Sequence, residues 1–73
     1  MKIERLTPEG LRTWRDRFSL KRTDLASMLG RSPRTVEKWE QGAPIPRWLD
    51  VLCSVLGQTD LGREVIEKAK RGD

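Results

Sequence analysis

The sequence predicts an all-α chain of five short helices, and three observations support that prediction. Helix-start chemistry recurs along the chain: Thr7-Pro8-Glu9 and Ser32-Pro33 each place a hydroxyl cap before a proline suited to the first helical position. Apolar residues recur at three- and four-residue spacing, as in Leu11, Trp14 and Phe18. Strand signals are missing, since no stretch alternates apolar and polar residues between turn clusters.

Taken in order, the first helix is expected over 8–18, capped by Thr7 and carrying Glu9 where the helix dipole favours an acid. A second, over about 22–29, turns Leu25, Met28 and Leu29 inward, and Ala26 is small enough to let another helix approach. Gly30 ends it, because the left-handed cap conformation is easiest for glycine. Ser32 caps a third helix that Gly42-Ala43-Pro44 breaks. A fourth is expected over about 46–56 with Gly57 as its stop, and a fifth over about 60–70 after a Thr59 or Asp60 cap. Trp14, Leu25, Val36, Trp39, Leu49 and Leu52 form the expected core.

Residues 1–73 are read as one domain, with no internal repeat, linker or low-complexity segment. A chain this short buries only about 60% of its unfolded surface, so its core must be small. It has no His, no Tyr and one Cys, Cys53. No zinc-type ligand spacing is present and no internal disulfide can form. With no glycine-rich phosphate loop and no nucleophile beside a base, an enzyme is not expected, nor is a metal or cofactor. No apolar run approaches the roughly 18 residues of a membrane span and no signal peptide is recognised, so a soluble, cytoplasmic protein without a membrane partner is expected.

Net charge is +4 and unevenly placed. Residues 1–47 hold eleven Lys and Arg against six Asp and Glu, giving +5, whereas residues 48–73 hold four against five, giving −1. The split suggests an anionic partner for the first two-thirds of the chain and a different task for the rest.

The third helix offers a face for such a partner. On a helical wheel Arg34, Glu37, Lys38 and Gln41 share about 100° of arc, while Val36 and Trp39 lie opposite. A charged arc is either a merely solvated face or a binding face. Context favours binding, because two short helices joined by Leu29-Gly30-Arg31-Ser32 make a helix-turn-helix, whose second helix enters the DNA major groove by its N-terminal end.

Leu25-Ala26, the Leu29-Gly30 turn, and Trp39-Glu40-Gln41-Gly42 followed by Ile45-Pro46 make residues 6–57 resemble the phage Cro/repressor-like (XRE) helix-turn-helix family of small phage and antitoxin-type regulators. The resemblance implies a compact five-helix lambda-repressor-like DNA-binding domain. It implies a sequence-specific transcriptional regulator, a repressor that occupies an inverted-repeat operator in double-stranded DNA and that can be autoregulatory. The alternative is an antitoxin or co-regulator that also binds a toxin or other protein partner. The absence of a long disordered tail favours the plain repressor.

Carried over residue by residue, the resemblance implies base reading by Pro33, Arg34 and Lys38, with Thr35 and Glu37 nearby and Ser32 approaching phosphate. The chemistry agrees: Arg34 can present a bidentate fork to guanine, Lys38 can reach another base or a phosphate, and Pro33 can only touch a thymine methyl. Glu37 either accepts from cytosine N4 or pairs with Arg34 and aims it. Backbone contacts are expected from Arg22, Arg31, Ser32, Thr35, Gln41 and Arg47. Lys21 stands where the family has a Ser or Thr cap, and Arg22 where it has Gln. Arg15 and Glu40 match a family pair that bridges the first helix to the end of the third, a structural role.

The fourth helix carries an apolar arc of about 200° from Leu49, Cys53, Leu56 and Leu52 to Trp48, Val55 and Val51, wider than one core requires. Either Leu61, Val65 and Ile66 of the fifth helix cover the excess, or Trp48, Val51 and Val55, with Leu61 or Val65, meet a symmetry mate in a homodimer.

Overall fold

Thr7 opens the first helix in the computed structural model, which describes residues 2–71. Its hydroxyl accepts from the Gly10 amide at 2.9 Å. Helix α1 runs Pro8–Arg17, α2 Arg22–Leu29, α3 Pro33–Glu40, α4 Arg47–Gln58 and α5 Asp60–Lys70, with no strand among the described residues. Asp24 starts α2 in the absence of a hydroxyl cap by accepting from the Lys21 amide at 3.0 Å. Gly30 closes it at φ 67°, where a side chain would be strained. Ser32 caps α3 by accepting from the Thr35 amide.

Two boundaries expected from sequence are corrected. Phe18 is the cap beyond α1, not its last residue, because the chain turns sharply through Ser19 at φ 56°. Gly57 does not stop the fourth helix, which begins one residue after Pro46 and continues to Gln58. A Cβ on Gly57 would lie 3.1 Å from Trp14 Nε1 and 3.3 Å from Arg17 Nη2. Glycine is there so that α1 side chains can lie close against α4. The stop is made by Thr59, whose extended backbone ends α4 and starts α5. Its hydroxyl donates to the Val55 carbonyl at 2.8 Å and accepts from the Gly62 amide at 3.0 Å.

The core is built from all five helices: Leu11 and Trp14 from α1, Leu25 and Ala26 from α2, Val36 and Trp39 from α3, Leu49, Cys53 and Leu56 from α4, and Ile66 from α5, joined by Leu20 of the α1–α2 turn. Leu52, expected inside, is only half-buried and packs on the edge of this cluster. Helices α2 and α3 pack on each other, α1 against α3, and α5 against both α2 and α4. Residues 2–6 form an extended strap along α4. The Leu6 amide donates to buried Asp50 Oδ1 at 2.9 Å, the Glu4 amide to Ser54 Oγ at 3.3 Å, and Gln58 Nε2 to the Lys2 carbonyl at 2.7 Å. No helix among the described residues is long and apolar enough to cross a membrane.

Candidate nucleic-acid interface

Helix α3 turns Val36 and Trp39 into the core and leaves Pro33, Arg34 and Lys38 exposed, so the wheel drawn from sequence describes the folded helix. Among the described residues, Arg34 and Lys38 have neither an ion pair nor a side-chain hydrogen bond. Glu37 is half-buried, and its Oε1 accepts from Gln41 Nε2 at 3.1 Å, so its partner is Gln41 and not Arg34. Arg34 therefore keeps its full fork of donors free. Ser32 and Thr35 share a hydroxyl hydrogen bond of 3.1 Å at the start of the helix.

A buried carboxylate ties the end of α3 to α1. The side chain of Glu40 is 0% exposed and lies in a fork of Arg15, at 2.9 Å from Nε and 3.2 Å from Nη2. Arg15 Nη1 also donates to the Leu20 carbonyl at 2.9 Å, so one guanidinium ties α1, the α1–α2 turn and α3 together. Arg22 reaches Glu40 Oε1 at 3.3 Å and Arg12 at 3.6 Å. Arg22, expected at the DNA backbone, thus also belongs to this clamp. Arg12 was not anticipated, although its i, i+3 spacing from Arg15 puts both on one side of α1.

Burial alone would raise the Glu40 pKa, but the hydrogen bonds and charges of Arg15 and then Arg22 outweigh it and hold the carboxyl below its ordinary value of 4.5. A folded-state value below the unfolded one means that the stabilisation is fully present above the unfolded value. It is lost as pH falls through the folded one. Thermal melts of wild type and Glu40→Gln from about pH 6 to about pH 3 should therefore converge on acidification. A constant gap between the two would show that the carboxylate charge does not support the fold.

The remaining cations are less uniform. Arg47 is exposed at the start of α4 with Nη1 3.5 Å from Asp50 Oδ2. The Arg31 guanidinium stands 5.5 Å from the centroid of the Trp48 ring. Trp48 in turn meets Trp39 edge to face, with centroids 6.1 Å apart. Trp48, Val51, Val55, Leu61 and Val65 are all exposed, Leu61 at 72%, and Ile3 of the strap is exposed as well. Helix α5 buries Ile66 but leaves Val51 and Val55 of α4 36% and 37% exposed. Cys53 is in the core, and burial, with the charge of Asp50, pushes its thiol up to about 12, which keeps it protonated and unreactive.

No curated protein and no solved structure matches the chain. A family model described as a helix-turn-helix domain matches residues 9–65, from the first turn of α1 to the middle of α5. The match takes in the Arg15–Glu40 clamp, the α2–turn–α3 unit and its free cationic face. The chain belongs to this helix-turn-helix family of XRE-like small DNA-binding regulators.

Proposed function

We propose that the protein is a transcriptional repressor that binds a specific inverted-repeat operator as a homodimer. The observation that carries this reading is the pair Arg34 and Lys38, exposed one turn apart and without a side-chain partner among the described residues, on a helix whose end is tied to α1 through the buried Glu40. Arg34 reads a guanine by a bidentate contact. Lys38 reaches a neighbouring base or phosphate, and Pro33 touches a thymine methyl. Glu37, held by Gln41, accepts from a cytosine amine. Ser32, Thr35, Arg31, Gln41, Arg22 and Arg47 set the register on the sugar-phosphate backbone.

The dimer is supported by the exposed apolar flank of Trp48, Val51 and Val55 on α4, to which Leu61 or Val65 of α5, also exposed, can add. They lie in the part of the chain with a net charge of −1, so two copies can meet there without repulsion while the basic part faces DNA. Such an isologous contact places two recognition helices about 34 Å apart and requires half-sites about one helical turn apart.

Selection of duplexes from a random pool should return an inverted repeat. Arg34→Ala should then weaken binding to it by about 1–3 kcal/mol and relax one base pair in each half-site. An unchanged affinity and an unchanged selected motif would remove Arg34 from the reading face. Sedimentation at micromolar concentration should give a dimer for wild type and a monomer for Val51→Lys. A wild type that stays monomeric both free and on its operator sinks the dimer.

A further inference from the structure

We infer that Trp48 is a positioning residue for DNA binding: its indole is a platform that holds the Arg31 guanidinium in the helix-turn-helix turn, ready for a backbone phosphate. The inference rests on the DNA-binding reading above and adds to it a role for a ring that otherwise counts only toward the apolar face. Arg31 immediately precedes Ser32, the cap of α3, so its charge sits at the entry of the recognition helix. Its side chain is exposed and has no ion pair among the described residues. Among the described residues its one side-chain interaction is with the face of Trp48, 5.5 Å from the ring centroid. That contact restrains the guanidinium plane without neutralising its charge or using its N–H donors.

The ring is itself braced. Trp39, a buried residue of α3, meets it edge to face at 6.1 Å, so the platform is referenced to the same helix that carries Arg34 and Lys38. The chain Trp39–Trp48–Arg31 thereby links the recognition helix, the start of α4 and the turn. An arginine left free on the surface would lose rotamer freedom on meeting a phosphate, and a guanidinium already ordered over a ring has less to lose. The other two arginines proposed to meet the DNA backbone are restrained differently: Arg22 by Glu40 and Arg47 by Asp50, each through a carboxylate that offsets its charge. Arg31 is ordered with its charge intact.

The test is a double-mutant cycle read by DNA affinity as a function of salt, using wild type, Arg31→Ala, Trp48→Leu, Trp48→Phe and the Arg31→Ala/Trp48→Leu double variant on the selected duplex. Arg31→Ala should lower the salt slope by about one unit, the signature of a lost phosphate contact. Trp48→Leu, which keeps an apolar side chain but removes the aromatic face, should weaken binding by about 2- to 5-fold. Trp48→Phe should restore most of that loss. In the Trp48→Leu background, Arg31→Ala should cost clearly less than it does in wild type. In the free protein, the ring-current shift of the Arg31 side-chain protons should vanish in Trp48→Leu and persist in Trp48→Phe. Additive effects, or Leu serving as well as Phe, would overturn the platform and leave Trp48 as a packing residue only. A wild type that binds no selected duplex would overturn the DNA-binding reading itself, and the platform with it.

Discussion

Trp39→Ala is expected to lower the unfolding free energy by about 3–5 kcal/mol, the usual cost of truncating a buried aromatic residue. Trp39 is 7% exposed, lies among the core residues of the other helices, and supplies the edge against which Trp48 rests. Small domains have total stabilities of about 5–15 kcal/mol, so this one change removes a large share and the variant should be partly unfolded at ambient temperature. Urea titration followed by circular dichroism measures it. A midpoint equal to that of wild type would mean that Trp39 is exposed in solution, and would favour a tryptophan that stacks on DNA instead.

Gly62→Ala should cost about 3 kcal/mol, the upper end of the usual range for overpacking, against the ordinary expectation for a helical glycine. Alanine is preferred to glycine inside helices by about 1 kcal/mol, which predicts stabilisation. At this position a Cβ would stand 2.5 Å from both the Cα and the carbonyl oxygen of Leu56, backbone atoms that cannot step aside. Relief requires α5 to move off α4, which opens the packing of Ile66 and loosens the Thr59 hinge. Gly57→Ala is the contrast. Its Cβ meets the ends of the Trp14 and Arg17 side chains at 3.1 and 3.3 Å, which can shift by a few tenths of an ångström. Propensity and crowding then nearly offset each other, and the change should stay within about 1 kcal/mol. Thermal melts of the two alanine variants side by side decide the matter: equal melting temperatures would show that α5 does not approach α4 as closely as described.

The all-helical class, the five helices and the inner and outer faces of α3 were legible without the fold. Hydroxyl caps, prolines at first helical positions and apolar spacing act within one or two turns, and the residues that specify them adjoin in sequence. The apolar excess of α4 was legible in the same way, since Trp48, Val51 and Val55 share one flank of the wheel and are exposed in the structure. The Arg15–Glu40 pair was reached only through the family resemblance, because twenty-five residues separate its members.

What the tertiary structure decided concerns groups brought together from distant parts of the chain. Gly57 and Gly62 carry no local mark that distinguishes a stop signal from a close approach. Only the positions of Trp14 and Leu56 against them make the difference. Arg12 and Arg22 became members of the Glu40 clamp, and Arg31 came to rest over Trp48, because helix packing puts α1, α2 and the turn beside elements that sequence spacing does not relate to them. The strap along α4 depends on Leu6 finding Asp50, forty-four positions away. Local chemistry sets which segments become helices, since capping and periodicity are satisfied within a few residues. The pairing of buried charges, the clearance between backbones and the ordering of exposed cations exist only after helices pack, when desolvation and steric exclusion select among partners that the linear chain leaves equally open.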